Sequence, residues 1–200
     1  MSHHNTFSDS ALMQAIAQRN EQAFAELYLR YGRQMFRFFY RMLRRDAARA
    51  EDFTQELFIK IIERPQAYDP GRPFQTWLYT LANNLCKNEY RRQARKPAEL
   101  TAALEDNTAV WLPDTIDRQL LETHLRAAID ALQEPHRQCF ILRYQEELSV
   151  RDIATITDCP EGTVKSRLHY ALQKVAADLQ LNWGADSQPD LYKHLTIKYL

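Results

Sequence analysis

Apolar residues recur along this chain at spacings of three and four, which predicts amphipathic helices. Over residues 9–30, Leu12, Ile16, Phe24, Leu27 and Tyr28 supply the apolar side of a helix pair, and Asn20 is placed to cap its second member. From Arg33 to Arg45, Met35, Phe36, Phe39, Tyr40 and Leu43 form a wide stripe backed by a basic ridge of Arg33, Arg37, Arg41 and Arg44, read as a solvated face. Asp46 caps a helix over Ala47 to Arg64, which Pro65 ends. Its buried face is expected to be Phe53, Leu57, Phe58, Ile61 and Ile62. The run Asp69-Pro70-Gly71-Arg72-Pro73 is turn chemistry. Phe74, Trp77, Leu78, Leu81, Ala82 and Leu85 then stripe a long helix that stops at Lys96-Pro97.

Beyond that point the periodicity fades. In residues 98–118, Glu99, Glu105, Asp106, Asp114 and Asp117 are opposed only by Arg118, and Asn107 and Pro113 interrupt any helix. The segment reads as an acidic tether, able to span about 70 Å at roughly 3.3 Å per residue. Helical spacing resumes over residues 119–132 with Leu121, Leu125, Ala128, Ile129 and Leu132 inward. Pro135 opens the next helix, where Cys139, Phe140 and Leu142 pack while Arg137 and Arg143 are expected to stay available. Ser149 and Asp152 make a capping-box-like start for a short helix carrying Val150, Ile153, Ala154 and Ile156. Thr157-Asp158-Cys159 turns the chain, Pro160 opens a second helix, and Val164, Leu168, Ala171, Leu172 and Val175 face inward. Residues 182–200 form a tail without an assigned role.

Composition narrows the classes. The 200 residues suit one domain or two small ones, and the fractions are those of a soluble globular chain. Four scattered glycines argue against Gly-rich phosphate loops. Cys86, Cys139 and Cys159 are odd in number and show no C-x-x-C or zinc spacing, so they are expected to be free thiols in a reducing cytoplasm. No signal peptide, membrane-length apolar run, catalytic triad, metal cluster or cofactor motif is visible, and His3-His4 has no partners. The expectation is a cytoplasmic protein that is not an enzyme, with no metal, cofactor, membrane insertion or small-molecule substrate. The zero formal net charge is unusual for a nucleic-acid binder and asks for a separate explanation of the acids.

Two helix faces carry candidate chemistry. The second helix of the last pair presents Gly162, Lys165, Ser166 and His169 at i, i+3, i+4 and i+7, with Thr163, Arg167 and Tyr170 on its shoulders. Small and basic groups on that helix are the layout of a helix-turn-helix entering a major groove. Glu161 suits the helix start and also matches an acceptor for a cytosine amino group. On the long helix, Thr80, Asn84, Lys87, Asn88, Arg91 and Arg95 line one stripe, flanked by Asn83 and Arg92. Asparagine is a mediocre helix former but pairs well with base edges. Glu51, Asp52, Gln55 and Glu56 cluster on one exposed face. The helix dipole explains them, and so does docking on a basic helical partner. From these residues alone, a stand-alone helix-turn-helix regulator with residues 1–96 as sensor remains an alternative.

Three motifs in order resemble a family. Ala50-Glu-Asp-Phe-Thr-Gln-Glu-Leu-Phe-Ile-Lys60 is similar to the core-polymerase-binding helix of bacterial sigma factors of the extracytoplasmic-function type, within the sigma-70 family. Phe74-Gln-Thr-Trp-Leu-Tyr-Thr-Leu-Ala-Asn-Asn-Leu-Cys-Lys-Asn88 resembles their promoter −10 helix, and Ser149 to Leu168 their −35 helix-turn-helix. The resemblance covers residues 9–180 and implies an all-α fold of two small helical domains joined by a flexible acidic linker. Region 2 would span 9–96, the linker 97–118, region 4 119–181 and the tail 182–200. It implies that Glu51, Asp52, Gln55 and Glu56 dock on the polymerase β′ clamp, with the β subunit also contacted. It implies −10 contacts for Asn83, Asn84, Lys87 and Asn88, and phosphate contacts for Arg91, Arg92 and Arg95. The Pro65–Pro73 loop would hold a flipped base. For the −35 element it implies Arg137, Ser149, Glu161, Gly162, Thr163, Lys165, Ser166, Arg167 and His169. Implied partners are core RNA polymerase, promoter DNA and an anti-sigma factor; no cofactor is implied. Two departures stand out: Asp158 occupies a turn position where the family usually has glycine, and the chain runs on past Leu181.

Overall fold

The computed structural model describes residues 7–95 and 118–183, with side chains from 123 to 179 in the second stretch. The acidic segment at 97–118, but for its last residue, the inward placement of Leu121, the His3-His4 pair and the tail after Trp183 lie outside what is described. Every described regular element is helical. Residues 7–95 hold α1 (Asp9–Ala17), α2 (Glu21–Met42), α3 (Ala47–Glu63), a 3-10 turn (Pro65–Ala67) and α4 (Phe74–Arg95). Residues 118–183 hold α5 (Arg118–Asp130), α6 (Glu134–Phe140), a π turn (Ile141–Gln145), α7 (Val150–Thr157) and α8 (Glu161–Trp183).

Side chains set four of the described helix starts. The side-chain oxygens of Ser8, Asn20, Asp46 and Ser149 accept from the backbone N–H of Ala11, Ala23, Arg49 and Asp152 at 3.2, 3.0, 3.0 and 3.1 Å. Each satisfies one of the donors a helix leaves orphaned. One difference from the sequence pattern is that residues 21–42 form a single helix rather than breaking near Arg30. Gly32 sits inside it because the Tyr28 ring lies on it, 3.3 Å from where a Cβ would stand.

The first core packs Met35, Phe38, Phe39 and Met42 of α2 against Leu57 and Ile61 of α3 and Leu78, Tyr79 and Ala82 of α4. The apolar side of α3 departs from expectation at one end. Ile62 is exposed, while Ala50 and Thr54 are buried. The stripe is therefore rotated toward α2, and the Thr54 hydroxyl escapes a desolvation penalty by donating to the Ala50 carbonyl at 2.7 Å. The same buried cluster continues into residues 118–183, where Phe140, Ile141 and Leu142 meet Ile153 and Ile156 of α7 and Val164, Leu168, Ala171 and Val175 of α8.

The turn between α7 and α8 is left-handed at Asp158, with φ 53° and ψ 52°. Its N–H and that of Cys159 return to the last turn of α7, at Thr155 and Ala154. The left-handed region costs most L-residues about 1–2 kcal/mol, and aspartate is among the tolerant ones. Asp158→Val is expected to lower stability by about 1–2 kcal/mol. Asp158→Gly is expected to change it by less than about 1 kcal/mol. Urea unfolding of both variants reads the difference.

Candidate nucleic-acid and polymerase interfaces

The helix-turn-helix presents its second helix outward. Val164, Leu168 and Ala171 anchor α8, leaving Glu161, Gly162, Lys165, Ser166 and His169 exposed, with Thr163 and Arg167 half-buried. A Cβ at Gly162 would meet nothing within 4 Å, so the fold itself does not demand glycine there. Ser166 donates to the Thr163 carbonyl at 2.9 Å, and an Arg167 nitrogen lies 3.5 Å from the Cys159 sulfur. Ser149 is exposed at the start of α7 and engaged as its cap.

On α3, Glu51, Asp52, Gln55 and Glu56 share an exposed face. Only Glu56 among them is in an ion pair, with Lys60 one turn on at 3.3 Å. Such an exposed pair contributes little, so the patch keeps its negative field. Beside it stand two exposed apolar side chains of the same helix, Ile59 and Ile62.

On α4 the polar stripe divides. Asn84, Asn88, Arg91 and Arg95 are exposed and Lys87 is half-buried. Arg92 is exposed and pairs with Glu89 at 2.7 Å. The loop ahead of α4 leaves Asp69, Pro70, Gly71 and Arg72 exposed over a floor of Tyr68, whose ring meets Phe74 and Trp77. Its shape is held by the Asp69 carboxylate accepting from Gly71 N–H at 2.9 Å and by the Tyr68 hydroxyl donating to the Arg72 carbonyl at 2.9 Å.

Two residues expected at the surface are not there. Asn83 is buried, because α7 lies against α4 at this point. Its amide donates to the Ile156 carbonyl at 3.1 Å and its oxygen accepts from Gln138. Arg137, expected to stay available, is 1% exposed. Its guanidinium reaches across to the end of α2, donating to the Met42 carbonyl and the Tyr90 hydroxyl, both at 3.0 Å. In both cases the reason is the second helical region packed on the first.

That packing uses residues with no functional signal in the sequence. Glu146 is buried and accepts from Arg41 at 2.7 Å and from the Tyr79 hydroxyl, which in turn accepts from Gln34 at 3.0 Å. Arg45 pairs with Asp130 at 2.8 Å, and Thr76 donates to Asp152 at 3.0 Å. Arg41, read as part of a solvated ridge, is thus a cross-region ligand. Glu146 follows the buried Tyr144 by two residues and precedes the buried Leu148 by two. An acid flanked in this way is the one trace of the contact in the sequence.

Burial pushes the Glu146 carboxyl above its ordinary range, against the pull of Tyr79 and Arg41. Tyr79 is pushed up by the same burial and by the Glu146 charge. Tyr90 is pushed up to about 12 by burial, against the charge of Arg137. For Glu89, burial raises the carboxyl, but the hydrogen bonds of Arg92 and Gln93 and the charges of Arg49 and Arg92 outweigh it and the net shift is downward. Among the described residues, no group of three or more His, Cys, Asp or Glu is arranged to hold a metal ion. No described helix is long and apolar enough to cross a membrane.

Comparison with known proteins bears on these surfaces. Residues 27–96 match the model of sigma-70 region 2, and residues 123–175 that of sigma-70 region 4. The chain is 31% identical to the RNA polymerase sigma-H factor of Pseudomonas aeruginosa, over 86% of this chain and 94% of that one. It is 33% identical to the extracytoplasmic-function sigma factor SigW of Bacillus subtilis, over 80% and 92%. In fold it is similar to CnrH, solved in complex with the cytosolic domain of CnrY, at a TM-score of 0.64 and 20% identity over 87% of this chain and 98% of that one. It is also similar to RpoE of Bartonella quintana, solved with the anti-sigma factor NepR, at 0.60 and 21% over 80% and 98%.

The raised Glu146 carboxyl sets a sign for stability against pH. A folded-state value above the unfolded one stabilises the fold as pH falls through it, and the gain is complete below the ordinary carboxylate value. The melting temperature of the native chain is therefore expected to gain on that of Glu146→Gln as pH drops from about 7 to about 5. Glu89 acts oppositely, and its contribution disappears only as pH falls below the ordinary carboxylate value. Thermal melts of native, Glu146→Gln and Glu89→Gln chains from about pH 7 down to about pH 3 check both signs.

Proposed function

The chain belongs to the sigma-70 family, in its extracytoplasmic-function group, and from that membership we propose how its surfaces divide the work of initiation. As an alternative sigma factor it binds core RNA polymerase and promoter DNA and directs transcription from specific promoters. Sigma factors are initiation factors rather than enzymes. We extend this to a chain with no catalytic activity of its own, working in the cytoplasm.

Residues 9–96 are the polymerase- and −10-binding unit and residues 119–181 the −35-binding unit. Glu51, Asp52, Gln55 and Glu56 meet the basic clamp of the β′ subunit, which gives the acids of a DNA-binding chain their purpose. The adjacent Ile59 and Ile62 extend that contact with apolar area. Asn84, Lys87 and Asn88 contact the −10 element, joined by Asn83 once the two regions part. Arg91, Arg92 and Arg95 hold phosphates, and the exposed loop at Asp69–Arg72 receives an unpaired base. In α8, Glu161, Thr163, Lys165, Ser166, Arg167 and His169 read the −35 element, with Ser149 at the backbone. Gly162 leaves room for the DNA to approach closely. Arg137 joins the backbone contacts only in the open form.

The observation that carries this reading is the outward face of α8. Second in a helix-turn-helix, it offers small and basic groups, most of them with no partner among the described residues. RpoE of Bartonella quintana, solved with the anti-sigma factor NepR, supports a similar partner here.

Run-off transcription with core polymerase on fragmented genomic DNA is the test. Specific start sites are expected, and their absence from every fragment would sink the proposal. Asp52→Arg with Glu56→Arg is expected to weaken core binding by roughly tenfold or more, since like charges then face each other. Retained affinity would remove the docking assignment.

A further inference from the structure

The loop at Asp69–Arg72 stands on an aromatic floor, and one side of that floor reaches back to the start of α1. The Phe74 ring meets those of Tyr31, Tyr68 and Trp77 at centroid distances of 5.1, 5.4 and 5.6 Å. Tyr31 alone of the four comes from α2. It is half-buried, and a half-buried ring has more than one staggered rotamer open to it. Asp9, in the first turn of α1, selects one of them. One carboxylate oxygen accepts from the Tyr31 hydroxyl at 2.6 Å, and the other from Arg30 at 3.1 Å. Arg30 is held in turn by Glu26 and by the Phe7 carbonyl, both at 2.8 Å. α1 also packs on the 3-10 turn that leads into the loop. Burial and the charges of Asp9 and Asp69 push the Tyr68 phenol above its ordinary range, so the Asp9 charge is felt at the floor itself.

We propose that Asp9 is a positioning residue for −10 recognition: through Tyr31 and Phe74 it fixes the floor under the Asp69–Arg72 loop and sets how firmly that loop holds an unpaired base. This rests on the reading of the loop as a base receiver. The Asp9–Arg30 pair is partly exposed and adds little stability by its attraction. What the arrangement supplies is direction, since a hydroxyl bonded to a carboxylate is short and strongly aligned.

A receiving site ordered beforehand keeps the affinity that ordering on binding would cost. Without the Asp9 carboxylate, Tyr31 turns to water and Phe74 loses its neighbour on that side. Tyr68 packs on Phe74 and donates to the Arg72 carbonyl at 2.9 Å, so the loosening passes into the loop backbone. The exposed α4 residues Asn84, Asn88, Arg91 and Arg95 and the outward face of α8 lie outside this network. The effect is therefore confined to the held base and spares the rest of the promoter contact.

The experiment uses the full chain bound to core polymerase and labelled fork-junction DNA built on a start site found by run-off transcription. Each non-template base of the −10 element is replaced in turn by an abasic site, and affinity is read by fluorescence anisotropy. With the native chain, one position is expected to lose roughly tenfold when abasic, the contribution of one stacked base. If no position does, the base-receiving reading falls and this proposal with it. Asp9→Ala and Tyr31→Phe are each expected to bring the intact fork close to the abasic one while binding of the abasic fork stays unchanged. A native ratio of intact to abasic affinity in either variant overturns the positioning role and leaves the base-receiving reading standing. Ile16→Val thins the core at the far end of α1, away from Asp9. It is expected to lower the melting temperature and keep the native ratio. A ratio that falls with Ile16→Val as it does with Asp9→Ala means that only the stability of α1 matters, and overturns the proposal. Circular dichroism confirms that each variant is folded; should Asp9→Ala fail, Tyr31→Phe makes the same cut.

Discussion

The buried amide of Asn83 constrains the rest of this structure. A polar side chain in a helix interface must be fully paired or solvated, because a buried group left without a partner costs about 1–3 kcal/mol. Here Gln138 and the Ile156 carbonyl supply the partners, both from the second helical region. The same helix offers Asn84, Asn88, Arg91 and Arg95 to solvent. α4 therefore has two polar sides with different obligations, one paired inside the molecule and one free. A sigma factor that uses Asn83 on DNA has to release it first.

The contacts holding the regions together suit a reversible device. They include Arg41 with Glu146, Arg45 with Asp130, and Arg137 with the Met42 carbonyl and Tyr90. Desolvating these groups offsets much of what their attraction gains, so such pairs specify an arrangement more than they stabilise it. Each group has water as an alternative partner once the regions separate. The buried apolar cluster, by contrast, runs on from one region into the other, so parting them exposes apolar area that a partner has to cover. Inverting a 99:1 preference for the closed form takes a partner that favours the open form by about 5.5 kcal/mol. An extensive polymerase interface is of the right order to supply that.

Much of each region was legible in the sequence because its causes are local. Asn20, Asp46 and Ser149 cap the helices they precede, and the spacing of Val164, Leu168, Ala171 and Val175 alone orients α8. The fold class and family followed from three motifs in order. What could not be read was the contact between regions. Arg41 and Glu146 stand 105 residues apart, and no periodicity links them. Arg137 looked like a surface base because arginine usually is one, and Asn83 was placed on the flank of a solvated stripe. Ile62 misled in the opposite direction: it sits at helical spacing from Phe58, but the stripe of α3 is turned toward α2.

The central claim is that the two regions lie face to face in the free chain and part when the protein works. Energy transfer between dyes on Gln75→Cys of α4 and Arg151→Cys of α7, in a Cys159→Ser background, reads this most directly. Both positions are exposed and neighbour the Thr76–Asp152 contact. High transfer in the free chain, falling on addition of core polymerase, is the predicted result. Low transfer in the free chain, or high transfer that persists in the polymerase complex, would contradict it.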